Sequence, residues 1–130
     1  MRLIDLEPQF VRFETRIEKW TRVLGDPATW KPGDPTEEVE GPRVYHVYVD
    51  TLAEAQGVRF LCPGCFAKNN GPVGTHCCIV WFAGRGVPDD ADPKPGRWQV
   101  SGTGYHDLST TPSILIPGDW HGYITNGNVT

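Results

Sequence analysis

Hydrophobic and polar residues alternate along the early part of the chain in a way that predicts β-strands. Between residues 11 and 18, apolar or β-branched residues alternate with charged ones. This two-residue period is typical of a strand with one face in water, although a helix is the competing prediction. Residues 44–49 are dense in β-branched and aromatic side chains, which predicts a second strand. Asp50 as N-cap and Gly57 as terminator then predict one short helix over residues 51–56.

The same kind of pattern predicts further strands in the second half of the chain. Residues 58–61 and 75–82 are predicted to pair as an antiparallel hairpin. Residues 121–125 and 128–130 flank Asn126-Gly127, the strongest two-residue hairpin signal in the sequence. We therefore expect short strands joined by tight turns.

Proline, glycine and acidic residues predict where the regular structure is interrupted. Residues 25–42 and 84–97 are rich in these residue types, so each is predicted to be an exposed loop, and a strand resumes at residues 98–100. Twelve prolines and fifteen glycines in 130 residues favour many turns over long helices.

The predicted fold class is mainly β, or α+β with one short helix, built as a small antiparallel sheet or sandwich with a zinc-ribbon-like knuckle. A chain of this length is predicted to form one domain over residues 1–130. Within it, residues 58–130 are expected to form a zinc-knuckle β core. Residues 1–57 are expected to pack on that core as strands, a loop and the short helix.

Charge and hydropathy argue against several classes of partner. Twelve basic and sixteen acidic residues give a net charge of −4, and no segment gathers Lys and Arg into a stripe, so no nucleic-acid partner is predicted. No run of eighteen apolar residues occurs, so no membrane partner is predicted. Charges and a proline within residues 1–8 argue against a signal peptide, and we expect a soluble protein made in a reducing cytoplasm.

A C-x-x-C motif, Cys62-Pro63-Gly64-Cys65, carries the clearest chemistry in the chain, and we call it the knuckle. A tight turn at this spacing presents both sulfurs to one tetrahedral zinc ion. Thiol redox proteins use the same spacing, but there the motif opens a helix in an α/β fold. The glycine at position 71 leaves little room for such a helix, so Zn²⁺ is the predicted cofactor.

The remaining ligands are expected among the histidines and cysteines further along. His76 opens the strand after the knuckle and His121 lies at the start of the last hairpin, so the predicted ligand set is Cys62, Cys65, His76 and His121. Cys78 shares a strand face with His76 and is an alternative to it, as is a water molecule. Each histidine, taken alone, is also typical of a strand-end residue bonded to backbone.

Several of these motifs resemble a family of small phage and bacterial proteins that contain cysteine and histidine. Its bacterial members occur beside ubiquitin-like conjugation genes. The resemblance rests on the Cys-Pro-x-Cys knuckle, on residues 108–114 with Pro-Ser-Ile, on the ending at 121–127, and on residues 71–76. It covers residues 58–130, and it implies a zinc-clipped β domain and an association with phage, but no activity.

The chain departs from this family at one position. Relatives carry a cysteine three residues before the histidine that matches His121, and this chain has Gly118 there. The vacant place in the usual four-ligand set would then fall to His76, to Cys78 or to water.

Three functional hypotheses follow. The first is a non-enzymatic, phage-associated accessory protein with a structural zinc, acting in the virion or the host cytoplasm as a virion component or interaction module. Its partners would be proteins or further copies of itself in virion assembly. No paired general acid and base accompanies the knuckle, which favours this hypothesis over an enzyme.

The second hypothesis is a zinc-dependent hydrolase or deaminase with an open position on the metal. Asp119 would be its base, or would fix the tautomer of a histidine ligand. Deaminases pair the cysteines with H-x-E, and no histidine here is followed two residues later by Glu.

The third hypothesis is a carbohydrate- or peptide-binding module that uses exposed aromatic side chains, although such residues in β-rich proteins more often belong to the core. The candidates are Trp81, Trp98, Tyr105, Trp120 and Tyr123.

Overall fold

Strands dominate the fold, as the sequence predicts. The computed structural model describes Met1 to Thr130, with 45% of the residues in strands and a single α-helix. The mainly β prediction is therefore confirmed. In chain order, the elements are β1 (Gln9–Val23), β2 (Thr36–Val49), β3 (Gly57–Leu61), α1 (Pro63–Asn69), β4 (Cys77–Trp81), β5 (Gln99–Ser101), β6 (Ser109–Thr111), β7 (Ile114–Ile116), β8 (Trp120–Gly122), β9 (Ile124–Thr125) and β10 (Asn128–Val129), with 3₁₀ turns at Leu3–Leu6 and Leu52–Glu54.

A four-stranded sheet in the order β2-β1-β3-β4 organises the chain, and β3 lies inside it. Strand β3 is antiparallel to β1, with Phe10 opposite Val58, and antiparallel to β4, with Phe60 opposite Cys78. Its side chains Val58, Phe60 and Leu61 are buried in the hydrophobic core. The strands β5–β6, β7–β8 and β9–β10 form three two-stranded antiparallel sheets.

One glycine is required where β3 and β4 meet. A Cβ built at Gly57 would lie 2.5 Å from the indole of Trp81, so that ring packs directly on the β3 backbone. Trp81 is fully buried there.

The chain divides into two compact units. The first contains Met1–Arg12 and Val47–Thr130, and the second contains Phe13–His46. The predicted boundary between the β core and the segment packed on it lies after residue 57. The boundaries between the two units lie at other positions. The hydrophobic core belongs to the first unit; its buried members are Leu3, Leu6, Phe10, Leu52, Ala55, Val58, Phe60, Leu61, Val80, Phe82, Leu108, Ile114, Ile124 and Val129.

The second unit is a hairpin made of the far part of β1 and the near part of β2. Surface pairs join its strands: Glu18 accepts a hydrogen bond from Tyr45, and Arg43 lies over the Trp20 ring at 4.9 Å. The predicted loop over residues 25–42 is thus partly wrong, because β2 already begins at Thr36.

The helix predicted over residues 51–56 is also wrong. Only a 3₁₀ turn forms at Leu52–Glu54, capped by the Thr51 hydroxyl, which accepts from the Glu54 backbone N–H at 3.4 Å. Gly57, expected to terminate the helix, instead begins β3. None of the helices is long and apolar enough to cross a membrane.

The last hairpin forms at the predicted turn. Asn126 and Gly127 have φ values of 49° and 75°, the two left-handed conformations that a type I′ turn needs. Strands β9 and β10 pair across it.

Candidate metal centre

Three of the predicted ligands come together in the structure. The ligand atoms of Cys62, Cys65 and His76 all lie within 4.8 Å of one another, and we call these residues the Cys-His group. Cys62 follows β3, Cys65 lies in the first turn of α1, and His76 immediately precedes β4. The group is therefore held at the point where the β3–β4 pair opens.

Backbone hydrogen bonds fix this arrangement. The Cys62 N–H donates to the His76 carbonyl at 2.8 Å and extends the β3–β4 pairing by one step. The Cys62 carbonyl accepts from the Phe66 N–H at 2.9 Å and opens α1. Pro63 follows at the first helical position, where a missing N–H costs no helical hydrogen bond.

The distance between Cys65 and His76 fits a tetrahedral ion. Cys65 Sγ lies 3.5 Å from His76 Nδ1. Zinc bonds of about 2.3 Å to sulfur and about 2.0 Å to nitrogen, at the tetrahedral angle, separate two ligand atoms by about 3.5 Å. Nδ1 is therefore the imidazole nitrogen that faces a shared ion.

Burial decreases across the group from Cys62, which is buried, through Cys65, which is half-buried, to His76, which is exposed. Partial burial, then the neighbouring Cys62 and then Asp119 raise the pKa of Cys65 to about 11. The metal-free thiol thus carries its proton at neutral pH, and a metal ion would release it.

Asp119 lies next to the Cys-His group, beyond its exposed side. Its Oδ2 atom is 3.7 Å from His76 Nε2, the imidazole nitrogen that faces away from Cys65. Its backbone also approaches the knuckle, because a Cβ built at Gly64 would lie 1.8 Å from the Asp119 carbonyl oxygen.

The other predicted ligand candidates lie elsewhere. His121 is exposed on β8, with Nε2 3.1 Å from the Ser113 hydroxyl, and it is not among the residues brought together. Cys78 Sγ lies 3.4 Å from the Phe60 carbonyl oxygen, and burial, then Cys62, raises its pKa.

Cys77 faces solvent on the opposite side of β4. Its side chain hydrogen-bonds with Arg59 and raises the pKa of that guanidinium. The predicted separation of Cys77 from the metal ligands agrees with this position.

A cleft of about 440 Å³ lies beside the group and shares His76 with it. Its walls come from β4, β7 and the segment before β5; the lining residues include His76, Cys77, Ile79, Asp92, Trp98 and Ile116.

Of the five aromatic candidates for binding, only Trp98 lines this cleft. Trp81 is buried, Tyr105 stacks on Phe10 and Trp120 packs edge-on against Phe60. Tyr123 is exposed but lies outside the cleft.

The knuckle opens the helix α1, which was not among the elements predicted from the sequence. Pro63 directly after Cys62 is a recognised sign of a helix start and could have predicted α1. The position of Asp92 in the cleft wall was not predicted either. An acidic residue in a loop carries no sequence signal for such a position.

Comparisons with models of protein families, with curated proteins and with solved structures find no match for this chain. Function has to be argued from the site.

Proposed function

We propose that this protein is a zinc-binding accessory module in which the metal is structural. The observation that supports this most directly is the gathering of Cys62, Cys65 and His76 at one end of the β3–β4 pair. Two thiolates and an imidazole form a donor set that zinc prefers.

The ion would join two segments of the chain. It would tie the start of α1, through the two cysteines, to His76, the residue immediately before β4. Since β4 lies at the edge of the four-stranded sheet, with β3 as its neighbour, this connection would fix the edge strand at its free end.

The phage association implied by the family resemblance is part of the proposal. The module would act in the virion or the host cytoplasm through protein partners or through further copies of itself. The lack of a general acid–base pair in the sequence supports a binding role over catalysis.

We place partner binding in the cleft, with an extended peptide segment of another protein as its occupant. In an antiparallel ladder, alternate residues bond to the neighbouring strand. His76 and Phe82 both bond across to the β3 side, so Cys77 and Ile79 direct their backbone groups away from it, towards the cleft.

The chain itself already uses this edge at one position. Trp98 forms a parallel bridge with Phe82, its N–H donating to the Trp81 carbonyl at 2.9 Å. A peptide would continue that pairing along β4, as in strand addition to an open sheet edge. Asp92 in the wall favours a peptide with a basic residue.

Elemental analysis of protein purified without added metal tests the metal proposal. We expect about one equivalent of zinc per chain, and removal with a chelator should lower the melting temperature, with recovery on adding zinc back. A fully folded, metal-free protein with the same melting temperature would contradict the proposal.

An array of synthetic apolar peptides, each with one lysine, tests the cleft. Peptides that bind should protect the Cys77 and Ile79 amides from hydrogen exchange. Matched peptides with N-methylated backbones lack the donors and should bind at least about 10-fold more weakly. Equal binding of the two series, or no binding in the array, would contradict strand addition.

A further inference from the structure

We propose that Asp119 is the fourth protein ligand of the zinc ion and closes the site. This inference rests on the proposed metal centre and deepens it. Structural zinc sites have four protein ligands, and the Cys-His group supplies three.

The position of Asp119 is the first argument. Its Oδ2 atom lies 3.7 Å from His76 Nε2. The carboxylate therefore lies beside the exposed member of the group. The side chain is 36% exposed, so rotation about its own bonds can move an oxygen towards the ion.

The turn that carries Asp119 is the second argument. Its N–H donates to the Ile116 carbonyl at 3.0 Å, with Pro117 and Gly118 between them. Gly118 has a φ of 79°, and proline followed by such a glycine is the pattern of a type II turn. A Cβ built at Gly118 would have no atom within 4 Å, so this turn brings residue 119, and not residue 118, to the knuckle.

Gly64 is the third argument. Any side chain at this position would collide with the Asp119 carbonyl oxygen, only 1.8 Å from the built Cβ. The first turn of α1 and the β7–β8 turn therefore approach each other more closely than any other residue at position 64 would permit. This approach places the Asp119 backbone against the knuckle, with its carboxylate beside His76.

The other side chains that could complete the set have different contacts. His121 faces Ser113, and Cys78 Sγ faces the Phe60 carbonyl. With Asp119 bound, zinc would join three segments: the knuckle, the start of β4 and the β7–β8 turn. On binding, the protons of both thiols leave to solvent, and the ion gains two sulfur, one nitrogen and one oxygen bond.

Cobalt(II) substitution tests this assignment, because thiolate-to-cobalt absorption scales with the number of sulfur ligands. The wild-type adduct should contain two thiolates. In Asp119→Cys we expect that absorption to rise about 1.5-fold, since three sulfurs replace two at a four-coordinate ion. In Asp119→Asn we expect zinc affinity to fall by at least about 10-fold. Asp90→Asn, at an exposed loop carboxylate, is the matched control and should change neither value.

Each outcome either supports or contradicts the assignment of Asp119. Unchanged zinc affinity in Asp119→Asn would overturn the inference. The inference would also be overturned if Asp119→Asn lowers zinc affinity while Asp119→Cys neither restores that affinity nor adds thiolate absorption. Asp119 would then act only through His76. In both cases wild-type protein still forms a two-thiolate adduct and the proposed metal centre stands. If the wild type binds neither cobalt nor zinc, both proposals fail.

Discussion

At the scale of single residues, Cys62 combines three roles that the sequence shows only as one motif. It directly follows β3, precedes the first residue of α1, and is the buried member of the Cys-His group. Cys77 has none of these roles and faces solvent. Two cysteines of the same chain therefore have very different expected contributions to stability.

Cys65→Ser should destabilise the protein far more than Cys77→Ser. With free zinc at 1,000 times its dissociation constant, loss of binding would remove about 4 kcal/mol. The exposed Cys77 should cost no more than about 0.5 kcal/mol. Thermal and denaturant melts of both variants, with and without zinc, measure the difference, and equal losses would show that the ligand assignment is wrong.

Asp107 provides a residue-scale prediction away from the Cys-His group. It accepts hydrogen bonds from the Thr103 and Gly104 backbone N–H groups, which lower its pKa from 3.8 to about 2. Because the folded-state pKa is depressed, its contribution is complete above about pH 4 and is lost as pH falls towards 2.

Asp107→Asn should therefore weaken the pH dependence of stability between pH 4 and pH 2. Denaturant melts across this range measure the slope, with Asp89→Asn, an exposed loop carboxylate, as control. A slope in Asp107→Asn equal to that of the wild type would contradict the assignment.

At the scale of elements, the prediction succeeds where burial imposes a pattern. Strand β3 and the β9–β10 turn form where the sequence predicts them. A short apolar run bounded by turn residues favours a buried strand, and Asn-Gly favours a type I′ turn. Strand β2 begins earlier than predicted, and its first residues are not buried, which leaves little hydrophobic pattern to read. One cross-strand ion pair, Arg22–Glu37, joins this segment to β1.

The short segment before β3 was predicted incorrectly because its structure depends on strand pairing. Over residues 51–56, capping and composition favour a helix. Gly57 instead pairs with β4 as part of β3, so the helix cannot continue to its predicted end. For the site, the C-x-x-C spacing predicts two close thiols. The predicted pairing of residues 58–61 with 75–82 also brings His76 to these thiols. No local pattern reveals that Asp119 approaches, because this depends on how β7 and β8 pair.

Gly64→Ala should destabilise the contact between α1 and the β7–β8 turn. The added methyl group would overlap the Asp119 carbonyl, and such overpacking costs about 1–3 kcal/mol. Gly41→Ala is the matched control, because its Cβ would meet nothing closer than 3.8 Å. Denaturant unfolding compares them, and a Gly64→Ala variant as stable as the wild type would disprove the close approach.

At the scale of the whole molecule, the buried core and the Cys-His group both lie in the first unit. The second unit, Phe13–His46, supplies none of these residues. Folding of the first unit and metal binding should therefore be independent of the hairpin.

Replacing residues 13–46 with Asn-Gly tests this independence. Phe13 and His46 are in edge-to-face contact at 4.9 Å, so their neighbours Arg12 and Val47 are close enough for a two-residue turn. We expect the shortened chain to fold and to bind zinc with unchanged affinity. Circular dichroism and zinc titration measure the outcome, and an unfolded or metal-free product would show that the hairpin is needed.

The tip of the hairpin, where the Leu24 N–H bonds to the Pro35 carbonyl, has a practical consequence. Its connecting residues line neither the cleft nor the Cys-His group. A biotin-acceptor tag inserted there would anchor the protein to a sensor surface by residues that take no part in either site. Peptide and metal titrations could then be carried out on immobilised protein with both sites unmodified.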